Sequence, residues 1–188
     1  MSLLVAGLVV FLGIHLLPAF PALRRRLVAR LGAGRYKGLF TALSLAGFGL
    51  IIAGYMHAPA TVRVFAPSAA AIAVAPFAVT LAFILFAAAN MRGHIRQVLK
   101  HPMLLGLIVF STVHLLANGD LRGTVLFGSF LGYGIIDLAS AISRNAVKTF
   151  KPVARYDVMA IVGGCVLAFG VMTLHRMLFG VPVVAFGV

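Results

Sequence analysis

Glutamate and tryptophan are absent from this chain, cysteine occurs once, and Asp plus Glu total only 3 in 188 residues. Each scarcity excludes chemistry. Without Glu there is no HExxH helix and no glutamate base for a zinc hydrolase. Cys165 alone forms no intrachain disulfide and no thiolate metal site, and inside an apolar run it reads as a small packing residue. No Gly-rich phosphate loop follows a strand, no nucleophilic triad can be assembled, and there is neither an internal repeat nor a low-complexity tail. Charged residues make up 10% of the chain and hydrophobic ones 62%. A soluble domain of this size cannot hide that much apolar surface, whereas a bilayer removes the need to.

The fold expected is all-α: one integral membrane domain covering 1–188, a bundle of six transmembrane helices. The six apolar segments fall at about 2–20, 38–56, 67–89, 102–117, 123–142 and 157–179, near the roughly 20 residues that spanning needs. The fourth is the shortest. It opens at His101-Pro102, where a missing N–H is tolerated, and closes at the turn Asn118-Gly119-Asp120. The first segment has its basic residues after it, the reverse of a secretory signal, and so reads as an uncleaved span.

Sixteen Lys and Arg give a net charge of +13. Nucleic acid is a poor explanation, because the basic runs lack interleaved stacking aromatics. Their distribution explains them better. Arg24, Arg25, Arg26, Arg30, Arg35 and Lys37 follow the first segment. Arg92, Arg96 and Lys100 follow the third, and Arg144, Lys148, Lys151 and Arg155 follow the fifth. The other side holds Arg63, Arg122 and Arg176. Thirteen against three puts both termini on the non-cytoplasmic side by the positive-inside rule and sets the basic face against anionic headgroups.

Within spans, the few polar residues carry the information. They are His15, His114, Asp137 and His175, while His57, His94 and His101 lie at span ends. His15 precedes Pro18 by three residues, and proline can expose a carbonyl one turn back. His114 shares a helical stripe with Ser111 and Asn118. Each histidine can be a partner to a neighbouring helix, or a metal or haem ligand. Asp137 can pair with a snorkelling Lys or Arg, or orient a histidine. Gly128 and Gly132 have the small-xxx-small spacing of a close helix contact, either inside the monomer or at a homodimer seam. Gly163, Gly164, Ala168 and Gly170 mark a similar contact on the last segment. Fifteen Phe against four Tyr suit lipid contact, or the walls of a haem or polyene pocket.

The stretch His101-Pro-Met-Leu-Leu-Gly-Leu, followed by His114-Leu-Leu-Ala-Asn-Gly-Asp120, resembles the signature of the NnrU family. So do His15-Leu-Leu-Pro-Ala-Phe-Pro-Ala-Leu-Arg24, Gly34-Arg-Tyr-Lys-Gly-Leu39 and Leu174-His-Arg-Met-Leu-Phe-Gly180. The resemblance implies a bacterial inner-membrane protein linked to denitrification, through expression or maturation of nitrite and nitric oxide reductases. The family is in turn similar to the plastid zeta-carotene isomerase, which uses haem b to isomerise a polyene. That likeness implies haem b with His15 and His114 as axial ligands. It also admits two alternatives, a haem-dependent cis–trans isomerase of a lipophilic polyene and a cofactor-free assembly factor. A cysteine of the isomerase, one turn before the second ligand, is here Ser111, which is not an effective haem ligand.

Depth gives a separate estimate. In the six-span arrangement His15 lies past mid-span toward the cytoplasm and His114 past mid-span toward the exterior, so their depths differ by about 5–10 Å. Axial ligands of one iron stand about 4 Å apart. By depth, His15 pairs better with His101, and His114 with His175 or His57; the motif favours His15 with His114.

Overall fold

In the computed structural model, residues 1–181 and 183 are described, and among them every regular element is helical. The helices form two compact units, the first being Met1–Val62 and the second beginning at Arg63.

The first unit contains α1 (Ser2–Leu16), α2 (Pro21–Leu31) and α3 (Ala33–His57). Pro18 ends α1 by tightening Leu17–Ala19 into a 3-10 turn, in which the Leu17 N–H donates to the Ile14 carbonyl. α1 packs along α3 through glycines that remove side-chain bulk from the crossing. A Cβ on Gly7 would stand 2.6 Å from the Ile51 nitrogen, and one on Gly47 2.8 Å from that of Phe11. One on Gly54 would run into the backbone of Leu4, whose side chain is fully buried. The basic stretch between the first two apolar segments is mostly helix: α2 and the start of α3.

The second unit contains α4 (Ala69–Ala88), α5 (His94–Leu99), α6 (Pro102–Asn118), α7 (Leu121–Ser143), α8 (Ala154–Thr173) and α9 (His175–Phe179). α4 lies between α6 and α8, and α7 packs on α6. The α4–α8 seam is built from Ala160, Gly164 and Ala168, a small residue every four; a Cβ on Gly164 would stand 2.5 Å from the Ile84 Cα. Gly163 and Gly170 lie off this seam in open space. Cys165 is exposed, because one residue beyond Gly164 turns it about 100° away from the seam. Gly134 meets Ile108 on α6, whereas no atom lies within 4 Å of a Cβ built on Gly128 or Gly132, so the in-chain contact on α7 uses Gly134 instead.

Among the described residues, five helices are long and apolar enough to cross a membrane: α1 with its 3-10 extension, α3, α4, α7 and α8. α6, the fourth expected span, is apolar but has 17 residues. The last expected span is divided at Leu174 into α8 and α9. Apolar side chains dominate the exterior, with Phe77 78%, Phe169 67% and Val9 67% exposed, while the most buried positions are mainly Ala, Gly and Leu. Contiguous apolar exteriors of this kind are rare on soluble proteins. This is the surface of a multi-pass membrane protein.

Candidate functional site

The end of α6 is fixed by backbone geometry. Gly119 adopts φ +70°, and a Cβ there would also collide with the Phe65 carbonyl. The strap before α4 lies against it: the Val64 N–H donates to the Gly119 carbonyl at 2.9 Å and the Ser68 N–H to the Leu116 carbonyl at 2.9 Å. One turn inside this closed end stands His114.

His114 Nδ1 lies 2.9 Å from the Phe110 carbonyl. A carbonyl only accepts, so Nδ1 carries the proton and the neutral ring has its lone pair on Nε2, the tautomer that a metal-binding imidazole uses. Two phenyl rings hold the imidazole: Phe110 at 4.1 Å between centroids and 33° between planes, and Phe127 of α7 at 4.7 Å and 33°. Phe110 continues the aromatic wall to Phe83 and Phe86 of α4. Asn118 Nδ2 donates to the His114 carbonyl at 2.6 Å. Ser111 is fully buried, and its Oγ finds no hydrogen-bond partner among the described residues. Ser111, His114 and Asn118 therefore share one neighbourhood, as their stripe predicts.

The first unit carries the same device. His15 Nδ1 lies 2.7 Å from the Phe11 carbonyl, and its ring stacks on Phe11 at 4.2 Å and 30°. Phe40 of α3 meets it edge-on at 5.2 Å. Both histidines thus sit four residues after a phenylalanine whose carbonyl fixes the tautomer and whose ring fixes the plane, and each receives a second phenyl ring from a neighbouring helix. His57 has the same backbone bond, to Ala53 at 2.7 Å, but is exposed.

The remaining candidates lie elsewhere. His101 caps the start of α6, about 20 Å along the helix from His114. His175 opens α9, with Nδ1 donating to the Val181 carbonyl at 2.7 Å. Asp137 accepts from the Tyr133 hydroxyl at 3.3 Å and faces Arg144 at 3.9 Å; its partners include no histidine. Among the described residues, no three His, Cys, Asp or Glu side chains converge on a metal-sized site.

Two features escaped the sequence reading. One is the phenylalanine clamp, whose visible trace is the repeated Phe-x-x-x-His of Phe11–His15 and Phe110–His114. The other is Asp157. Its carboxylate accepts from the backbone N–H groups of His94 and Ile95, each at 2.9 Å, and from His94 Nδ1 at 2.7 Å. It caps α5 from the first turn of α8, and a Cβ on Gly93 would collide with it. No local pattern announces a cap supplied from so far along the chain.

None of the curated proteins and none of the solved structures matches the chain. The family model described as NnrU protein matches residues 3–183, nearly the whole of it. A match of that extent, carrying both clamped histidines, makes the chain a member of the NnrU family.

Proposed function

We propose that this NnrU-family protein resides in the bacterial inner membrane, crosses it six times with both termini outside, and binds haem b through His15 and His114. Its role in this reading is accessory to denitrification, in the expression or maturation of nitrite and nitric oxide reductases. The observation that carries the haem assignment is the shared presentation of the two imidazoles. Each has Nδ1–H committed to a carbonyl, its lone pair on Nε2, and its plane held by phenyl rings. That donor chemistry fits an iron ligand, and the phenylalanine walls suit a flat apolar macrocycle. Haem would supply redox chemistry or Lewis acidity; the chain's own residues orient the ligands and exclude water.

The test is an absorption spectrum of the full chain purified in detergent from haem-replete cells. A Soret band is expected, reduced or abolished by His114→Ala and by His15→Ala. Protein that emerges haem-free and takes up no added haem would overturn the assignment. Substitution of both histidines without effect on stability or on complementation of nitrite reduction would favour a cofactor-free assembly factor.

A second reading is a haem-dependent cis–trans isomerase of a lipophilic polyene. It is favoured by the run of Phe83, Phe86, Phe110 and Phe127 leading to His114. Conversion of a cis-polyene by the reconstituted holoprotein, lost with His114→Ala, would distinguish it.

A further inference from the structure

The first unit contains Arg24, Arg25, Arg26, Arg30, Arg35 and Lys37 but no Asp or Glu, since Asp120, Asp137 and Asp157 all lie beyond Val62. Six positive charges within fourteen residues therefore have no carboxylate of their own unit to face. α2 holds four of them on a helix with no buried residue. The four arginines are exposed, and the Arg24 guanidinium lies 5.9 Å from the centre of the Tyr36 ring.

The pattern around α2 is specific. At 100° per residue, Leu23, Leu27 and Leu31 span an arc of about 80°, with Arg24 and Arg30 about 20° beyond either edge. Leu23 is 46% exposed, and Phe20 at the helix start is 60% exposed. Apolar residues bordered by arginines whose heads can snorkel outward are the marks of a helix lying in a membrane interface. Its position agrees, since α2 follows the apolar α1 after only the Leu17–Ala19 turn and Phe20, at the level where a spanning helix reaches the headgroups.

We propose that α2 binds anionic phospholipid headgroups through Arg24, Arg25, Arg26 and Arg30, and so anchors the first unit at the basic face of the bilayer. The lipid supplies the negative charge that the unit lacks. Planar guanidinium groups suit phosphate oxygens better than ammonium groups do, and the cluster is almost wholly Arg.

The test uses the full chain, delipidated in mild detergent and offered an equimolar mixture of phosphatidylglycerol and phosphatidylcholine, with retained lipids counted by native mass spectrometry. The wild type should retain phosphatidylglycerol over phosphatidylcholine by about fivefold or more, the factor that even one basic residue near the surface supplies. Arg24→Gln/Arg25→Gln/Arg26→Gln/Arg30→Gln should bring the ratio close to one. Arg92→Gln/Arg96→Gln/Lys100→Gln, which neutralises another basic stretch, should leave most of the preference in place. Should the quadruple variant fail to fold, Arg25→Gln and Arg26→Gln singly should each lower the ratio. No preference in the wild type, an equal loss in both multiple variants, or undiminished ratios in the single variants would overturn the proposal. So would a tightly held nucleic acid or acidic protein that excludes phosphatidylglycerol.

Discussion

Each of the three side-chain carboxylates has a structural partner. Asp120 caps α7 by accepting from the Gly123 N–H at 2.6 Å, Asp137 faces Tyr133 on its own helix and Arg144 just past its end, and Asp157 caps α5. Asp157→Ala removes an acceptor from two backbone N–H groups and one imidazole, and should loosen the start of α5, as the loss of a helix cap does. Hydrogen exchange at the His94 and Ile95 amides should rise accordingly; unchanged exchange there would show that the cap contributes nothing. His15 and His114 were legible in the sequence because polar residues are so scarce within the apolar segments. Phe11, Phe40, Phe110 and Phe127 were not, because a phenylalanine facing lipid and one clamping an imidazole look alike until the neighbouring helix is placed. Ser111 was legible as part of the His114 stripe, but its complete burial was not.

Among the elements, the long helices followed from apolar length, and the two ends of α6 from Pro102 and the Asn118-Gly119-Asp120 turn, whereas the first segment, expected to run past Pro18 to about residue 20, stops as α1 at Leu16. The short ones did not. α2 carries Leu23, Leu27 and Leu31 at helical spacing, but four arginines in eleven residues keep it from standing out as an apolar segment, and the short α5 depends on a carboxylate from another helix. The glycines divide by what surrounds them. Gly54→Leu would drive a side chain into the α1 backbone and should destabilise the first unit by about 1–3 kcal/mol or more, the range for overpacking. Gly49→Leu on the same helix has nothing within 4 Å and should be neutral or stabilising by up to about 1 kcal/mol, because leucine is the better helix former. Thermal unfolding in detergent compares the two directly. Similar losses in both would show that the close crossing of α1 and α3 is not what Gly54 provides.

For the whole molecule, the all-helical fold and apolar exterior match the expectation from composition; among the described residues five of the six expected spans are long enough to cross, the short fourth segment is α6, and the division at Val62 does not stand out in the sequence. Residues 58–68 look like any other connection between apolar segments, and only the packing partners of the helices on either side separate the units. The six-span orientation can be read with single cysteines in a Cys165→Ser background. Val62→Cys should react with an impermeant maleimide in intact cells, and Lys148→Cys only after the inner membrane is opened. Labelling of both from the same side would overturn that orientation.

The cap on α5 also bears on how the chain is made. Asp157 follows His94 by 63 residues, so α5 leaves the ribosome well before the group that completes it. At roughly 5–20 residues per second the interval is about 3–13 s, during which α6 and α7 are synthesised. α5 therefore gains its cap late, when α8 arrives, and the strand of nascent chain between Met91 and His101 must stay adaptable while the helices that follow it insert.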